Sequence, residues 1–177
     1  VTVLNVGEAD AEPNIRKALA IGADDAIRVN AFPKDAFFVA QQIAHVAKEG
    51  GYDVILMGKE SIDFNGFQVH GMVGELLGIP TIAPAMKLDM SGNTATLERE
   101  IEGGKEVVQV AAPFVASCQQ PMCEPRIPNM RGIMTARTKP LKVVEATSQE
   151  ARTSVASFAL PPAKQGVKLF TADQAAD

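Results

Sequence analysis

The sequence is poor in the residues on which nucleic-acid recognition depends. It has no tryptophan and one tyrosine, so it lacks an aromatic platform on which bases could stack. Its 17 basic side chains are outnumbered by 21 acidic ones, without the concentrated basic footprint that a nucleic-acid surface needs. The modest basic run of Arg126, Arg131, Arg137 and Lys139 is interpreted as a solvated segment or as the rim for an acidic partner protein.

Cysteines and long apolar runs are equally scarce. Cys118 and Cys123 have C-x4-C spacing, which fits neither a zinc ribbon nor a redox C-x-x-C motif, so no metal site is predicted. Reduced thiols are typical of a cytosol-like compartment. No apolar run is long enough to span a membrane. The chain begins at Val1 in a strand-like run, with no signal peptide to read, and is expected to be truncated or processed.

Catalytic constellations are also missing. There is no Gly-x-Ser-x-Gly motif and no carboxylate pair in a recognisable acid–base setting. His45 falls on the polar face of its helix and is interpreted as a surface residue. His70 lies near a helix start, where its pKa should be depressed, and it has either a packing or surface role or a ligand contact. No catalytic residue is predicted.

What the sequence does contain is a repeated strand–helix pattern. With 46% hydrophobic residues, the chain can form one globular core. Helix signals follow each apolar strand: Pro13 and Gly22 bound the first helix, Asp35 and Gly50–Gly51 the second, and Gly78 closes the third. The predicted strands are Val1–Val6, Ala26–Asn30 and Asp53–Met57. Such alternation favours a parallel sheet covered by helices on both faces.

The pattern changes after the third helix. Between Thr81 and Cys118 the sequence predicts strand-like segments around two turns, either as antiparallel strands added to the sheet or as an extended excursion over it. A proline-rich region follows, with a short helix over Met130–Arg137. From Ser148 the periodicity is weak, which indicates an arm that packs on something else or is disordered. The predicted organisation is therefore an α/β domain over residues 1–147 and an extended C-terminal arm over residues 148–177.

The loop between the third strand and its helix is the most informative segment. It begins at Gly58 and ends at Val69, where a parallel sheet presents free helix amides to ligands. These amides and the helix dipole suit a phosphate, and Gly58 and Gly66 allow close backbone approach. Asp63 and Asn65 can bond local amides, and Gln68 offers an amide side chain. The loop matches neither a Walker motif nor G-x-G-x-x-G, and a purely structural turn is the alternative.

Five blocks of sequence resemble, in order, the β subunit of the electron-transfer flavoproteins, and they cover roughly residues 1–144. They are Arg16–Asp24, Gly58–Asp63, Arg99–Glu106, Glu124–Arg126 and Ile133–Arg137. The resemblance implies a Rossmann-like fold of the adenine-nucleotide α-hydrolase-like type, mostly parallel with added antiparallel strands. The arm resembles the family only loosely.

The resemblance also implies a function. A β subunit pairs with an α subunit that carries redox-active FAD, accepts electrons from acyl-CoA-type dehydrogenases and passes them to a quinone oxidoreductase at the membrane, as in fatty acid oxidation. It performs no bond chemistry and buries an AMP, which a second FAD replaces in flavin-bifurcating relatives. The expected location is the bacterial cytoplasm or the mitochondrial matrix.

The family's nucleotide contacts carry over to one residue after the first strand and to the whole loop. They are Ala11, Gly58, Lys59, Glu60, Ser61, Ile62, Asp63, Phe64, Asn65, Gly66, Phe67, Gln68 and Val69. Family members with AMP often have Asn and Thr in place of Phe67 and Val69, which puts two polar side-chain contacts in question. Gln68 is kept, and backbone amides do not depend on side-chain identity.

The family's docking loop, which inserts an apolar residue into the dehydrogenase, corresponds to about Val110–Gly132. Met122 takes the anchor position, where Leu is usual, and Cys123, Glu124, Pro125 and Arg126 follow it. A methionine there conserves the volume of leucine. The other interpretation of this proline-rich segment is a loop that tucks its apolar residues onto the core.

Family members have one more strand and helix before the segment equivalent to Val1. If the chain starts at Val1, we expect the central strand of the sheet to be missing and strand edges to be exposed. Two other functions compete with the first: a stand-alone nucleotide-binding module like the universal stress proteins, or a nucleotide hydrolase or pyrophosphatase of similar fold.

Overall fold

The computed structural model describes residues 1–62, 64–148, 150–167 and 169–170. Their helices and strands alternate at first and then give way to consecutive strands. In chain order they are β1 (Thr2–Gly7), α1 (Glu12–Ala20), β2 (Asp25–Asn30), α2 (Ala36–Gly50), β3 (Val54–Gly58), α3 (Val69–Leu77), β4 (Thr81–Ser91), β5 (Thr94–Ile101), β6 (Gly104–Ala111), β7 (Phe114–Cys118), α4 (Met130–Ala136) and β8 (Leu141–Glu145). A short 3-10 turn, Ala9–Ala11, precedes α1.

The three predicted β–α units are present, and local capping sets the helix limits. The Asp35 side chain accepts a hydrogen bond from the Phe38 amide at 2.7 Å and starts α2, as a capping carboxylate does. Gly51 ends the same helix in the left-handed conformation, with φ of 62°, which glycine adopts without steric cost. The predicted boundaries of α2 are therefore confirmed, and α3 ends before Gly78 as predicted.

The strands form two sheets. A three-stranded parallel sheet has the order β1-β2-β8, and a five-stranded sheet has the order β3-β7-β4-β5-β6. In the larger sheet β3, β7 and β4 are parallel, and β5 and β6 extend it as antiparallel strands. The predicted α/β class is confirmed, and of the two alternatives for residues 81–118 the antiparallel strands are the one observed. Strand β8 was not predicted.

Each sheet has its own apolar core. In the larger sheet, Phe114 and Leu97 are fully buried and pack with Ile82. In the smaller one, Leu19 of α1 packs with Ala136 of α4 over β1 and β2. Helices α2 and α3 pack together over β7, with Val73 buried between them. The loops at the carboxyl ends of β2 and β3 are thereby held next to each other.

One edge of β1 and one edge of β3 have no strand partner among the described residues. Both edges border a mainly apolar cavity of about 320 Å³, which Leu4 of β1 and Val54–Gly58 of β3 help to line.

Beyond β8 the described residues contain no helix or strand. The chain runs back across α2, where Gln42 and Asp35 bond the backbone of Thr147 and of Arg152–Thr153. Among the described residues, no helix combines the length and the apolar character needed to cross a bilayer.

Gly74 marks the closest approach of α3 to the chain that leads into β4. A Cβ atom at Gly74 would overlap the Thr81 hydroxyl and lie 3.1 Å from the Ile79 carbonyl oxygen. We therefore predict that Gly74→Ala destabilises the fold by roughly 1–3 kcal/mol through overpacking, although alanine favours helix. Urea unfolding would measure the change in free energy.

Gly71 provides the matched control, since it lies in the same helix and a Cβ there meets nothing within 4 Å. Gly71→Ala should be neutral or stabilise by up to about 1 kcal/mol. Equal unfolding free energies for the two variants would show that α3 and β4 do not pack in this way.

Candidate functional site

A cavity of about 600 Å³ lies at the carboxyl end of β3. Three segments line it: the start of α2 with the residues before it (Pro33–Ala36), the β3–α3 loop, and Thr153–Val155 of the C-terminal arm. The first two segments follow parallel strands of an α/β fold at their carboxyl ends, which is where such folds bind ligands. The cavity volume is typical of small-molecule sites.

The predicted loop supplies most of this lining. Its contributing residues are Gly58, Lys59, Glu60, Ser61, Phe64, Gly66, Phe67, Gln68 and Val69. Ile62 and Asn65 belong to the same loop but do not line the cavity, and the Ile62 side chain is 91% exposed. Asp63 lies outside the described residues. The structure therefore gathers most of the predicted loop residues around one space.

Two helix N-termini open towards this cavity, and they differ in their capping. At α2 the Asp35 carboxylate already bonds the Phe38 amide. At α3 the N-cap residue Gln68 makes no side-chain capping bond. An uncapped helix start presents amide donors and the positive end of the helix dipole. An anion in the cavity would therefore be stabilised at the start of α3, because the Asp35 carboxylate already occupies the start of α2.

The loop reaches α3 through two residues with positive φ, Asn65 (46°) and Phe67 (44°). The Asn65 amide donates to the Ser61 carbonyl at 2.8 Å, and asparagine tolerates the left-handed region. Phenylalanine does not favour this region, so the conformation of Phe67 is strained. Its ring makes an edge contact with His70 at 4.7 Å and lies 5.8 Å from the Lys59 ammonium.

The Lys59 ammonium is the cationic group of the loop. Its Nζ atom lies 3.8 Å from the Glu60 carboxylate, and the two side chains are 39% and 37% exposed. An exposed pair of this kind is held weakly, so Lys59 is free to reorient. Its charge, together with the uncapped amides of α3, makes this side of the cavity suitable for a phosphate group.

His70 lies beneath the loop, in the first turn of α3, and is only 5% exposed. Neither ring nitrogen has a hydrogen-bond partner within the standard distance. Burial lowers the pKa of His70, and the nearby Lys59 backbone opposes this only in part. The predicted depression is confirmed in direction, but its main cause is burial. His45, in contrast, is exposed and lies 3.5 Å from Glu49, as predicted for a surface residue.

Ala11 does not line the cavity. It lies at the end of the 3-10 turn after β1 and packs against the α1 core that contains Ile15 and Leu19. Its place in a nucleotide site therefore stays a prediction from the resemblance.

Two parts of the lining were missed by sequence reasoning. Asp35 was recognised as a helix cap, and its position after β2 was a usable signal, since the ends of neighbouring parallel strands share one edge. Thr153–Val155 gave no such signal, because the arm has no periodicity and reaches the cavity only through tertiary contacts.

The predicted docking segment does not line this cavity. Met122 is half-buried and packs against the core of the five-stranded sheet, and its amide donates to the Gln119 carbonyl at 3.0 Å. The four residues that follow it, Cys123, Glu124, Pro125 and Arg126, are exposed. Further along, Ile127 is 90% and Met130 75% exposed. Docking by this segment stays a prediction.

Neither cysteine lines the cavity. Cys118 is half-buried at the end of β7, and burial raises its pKa. Cys123 is exposed, and both cysteines are free. Within the described part of the chain, no group of three or more His, Cys, Asp or Glu side chains is arranged to hold a metal ion.

Comparison with known proteins identifies similar chains. Residues 1–149 match the family model of the electron transfer flavoprotein domain. The chain is 34% identical to the electron transfer flavoprotein subunit beta of Bacillus subtilis over 186 residues, covering 99% of this chain and 72% of that protein. For the same subunit of Syntrophomonas wolfei the identity is 37%, covering 96% and 68%. For the human subunit the identity is 31%, covering 98% and 72%.

The buried neutral His70 generates a prediction about pH. Because its folded pKa is depressed, the unfolded chain binds more protons, and stability is lost as pH falls from the ordinary histidine pKa towards the folded one. We expect the melting temperature of His70→Phe, which has no imidazole to protonate, to fall less than that of the wild type between pH 7 and pH 5. Thermal unfolding across this range would measure the difference.

The same substitution at the exposed histidine, His45→Phe, is the control and should follow the wild-type pH profile. If His70→Phe and the wild type lose the same melting temperature between pH 7 and pH 5, burial of His70 does not govern the pH response.

Proposed function

Because this chain belongs to the electron transfer flavoprotein family, we propose that it is a β subunit that binds an adenine nucleotide and carries no catalytic residue of its own. Its partner is an α subunit that holds the redox-active FAD, and the pair is an electron carrier. The observation that supports the nucleotide site most strongly is the cavity with an uncapped helix start at α3.

The residues around the cavity fit a nucleotide. The amides that begin α3 and the Lys59 ammonium would hold the phosphate. The exposed ring of Phe64 and the ring of Phe67 offer apolar surface to a base, in place of the polar contacts that the family often makes at the positions of Phe67 and Val69. AMP supplies no redox chemistry. A flavin in its place, as in bifurcating relatives, would supply a second electron-transfer centre.

The electron pathway follows from the same proposal. The pair accepts electrons from acyl-CoA-type dehydrogenases and passes them to a quinone oxidoreductase, in the bacterial cytoplasm or the mitochondrial matrix. Exposed apolar side chains on and near α4 support contact with another protein, since Met130 and Met134 are 75% and 66% exposed. Flexible thioethers suit an adaptable contact surface. Met122–Arg126 is the segment proposed to dock the dehydrogenase.

The nucleotide proposal is tested by the adenine and flavin content of the chain copurified with its α subunit. Denaturing the complex and separating the supernatant by chromatography should yield about one AMP per heterodimer, or a second FAD if the complex bifurcates. A supernatant without either, beyond the FAD of the α subunit, would contradict the proposal.

The role of Lys59 can be tested separately. We predict that Lys59→Met weakens AMP binding by about three- to ten-fold, equivalent to roughly 0.6–1.4 kcal/mol for a half-exposed cation on a phosphate. Titration calorimetry on the nucleotide-free complex would measure the dissociation constant. Lys87→Met, on the exposed face of β4, is the control. Equal AMP affinities for the two variants would show that Lys59 does not contribute to nucleotide binding.

Docking is tested by Met122→Ala. If Met122 anchors the dehydrogenase or sets the position of the loop that does, electron acceptance from an acyl-CoA dehydrogenase should slow by about ten-fold or more, with heterodimer assembly intact. Stopped-flow reduction of the flavin and size-exclusion chromatography would measure the two properties. Met90→Ala, at an exposed position of β4, is the control. An unchanged acceptance rate would exclude this role.

A further inference from the structure

The start of α2 holds the C-terminal arm through the carboxylate of one residue, Asp35. Its Oδ1 atom caps the helix by accepting from the Phe38 amide. Its Oδ2 atom accepts from the amides of Arg152 and Thr153 at 2.6 and 2.8 Å, and from the Thr153 hydroxyl at 3.3 Å. One side chain thus caps the start of α2 and holds the C-terminal arm.

Two further contacts from α2 follow the same part of the arm. Gln42 is 1% exposed and meets Thr147 with both ends of its amide: Oε1 accepts from the Thr147 amide at 2.9 Å, and Nε2 donates to the Thr147 carbonyl at 3.4 Å. The Arg152 guanidinium lies 5.4 Å from the centre of the Phe37 ring. The path of the arm is therefore set at three points along one helix, and it leads Thr153 to the cavity.

Thr153, Ser154 and Val155 line the cavity beside the β3–α3 loop. These three residues lie beyond residues 1–149, the part of the chain that matches the family model. They bring two hydroxyl groups and an apolar side chain to a site whose loop has apolar side chains at Phe67 and Val69. Hydroxyls are donors and acceptors suited to the sugar or phosphate of a nucleotide.

We propose that Asp35 is a positioning residue. Its carboxylate holds the arm at Arg152–Thr153, a contact called the clasp, and thereby makes Thr153–Val155 one wall of the nucleotide site. The proposal rests on the proposed function for the identity of the ligand, whereas the clasp itself does not depend on it. Loss of the clasp should open the cavity to solvent on this side and weaken nucleotide binding.

The ionisation of Asp35 favours a clasp that persists at neutral pH. Burial tends to raise its pKa, but the bonds from the Phe38, Thr153 and Arg152 amides and the Thr153 hydroxyl together outweigh burial and lower the pKa below its ordinary value. A depressed carboxyl pKa gives stability that is present above the unfolded pKa and is lost as pH falls through the folded one. The carboxylate is therefore ionised throughout the neutral range.

Asp35→Asn separates the two tasks of the side chain. The asparagine oxygen can still cap α2, since Asn and Asp are similar N-caps. Its amide nitrogen, however, would face the Arg152 and Thr153 amides, and two donors cannot bond each other. The variant should therefore fold with α2 intact and release the arm. Asp24→Asn makes the same chemical change at the opposite end of β2 and is the control.

Trypsin reports the clasp directly, because it cleaves after arginine and the amide of the Arg152–Thr153 bond is held by Asp35. In the native complex, this bond should be cut at least about ten-fold faster in Asp35→Asn than in the wild type, because the hydrogen bonds that hold its amides are lost. Cleavage at Lys164 should be unchanged, and Asp24→Asn should behave as the wild type. Equal cleavage of wild type and Asp35→Asn at Arg152 would refute the clasp.

Calorimetric titration with AMP tests the wall. We expect Asp35→Asn to bind AMP about five-fold or more weakly than the wild type or Asp24→Asn, and AMP to slow cleavage at Arg152 in the wild type. Faster cleavage of Asp35→Asn at Arg152 with unchanged AMP affinity would show that Asp35 holds the arm but that Thr153–Val155 do not contribute to AMP binding. A wild type that binds neither AMP nor FAD would refute the proposed function and the wall together, and the trypsin result would still decide the clasp.

Discussion

Two helix N-termini border one cavity, and a side chain of the protein caps only one of them. At α2 the Asp35 carboxylate satisfies the helix amide and offers its second oxygen to the arm. At α3 the N-cap Gln68 leaves the first amides without a side-chain partner. The rest of the site follows from this asymmetry, because the fold has placed a carboxylate where it supports structure and left donors where an anion can bind.

The sheet geometry brings these two helix starts together. Since β2 and β3 belong to different sheets, no strand pairing connects the loops that follow them. Packing of α2 against α3 does so, with Ala40 and Val73 buried in the contact. The unpaired edges of β1 and β3 border a cavity at the same junction. The candidate site and the junction of the two sheets therefore depend on one helix–helix contact.

Local signals predicted much of this arrangement. Asp35 and Gly51 set α2, and the apolar spacing of Val69–Leu77 set α3, because caps and periodicity act over a few residues. Strand β8 was not predicted because it is only five residues long and its partner strand, β2, lies more than a hundred residues earlier in the chain. The position of Thr153–Val155 at the cavity could not be predicted either, because the arm reaches it only through tertiary contacts. The half-buried position of Met122, one of two alternatives for its segment, also depends on tertiary packing.

The central claim is that the amides at the start of α3 bind the nucleotide phosphate. Backbone amide NMR of the 15N-labelled chain, in complex with an unlabelled α subunit freed of nucleotide, tests it most directly. On titration with AMP, the amide resonances of Val69 and His70 should shift most, while that of Phe38, already bonded to Asp35, should move little. Largest shifts at Ala11 or Phe38, with none at Val69 and His70, would contradict the account.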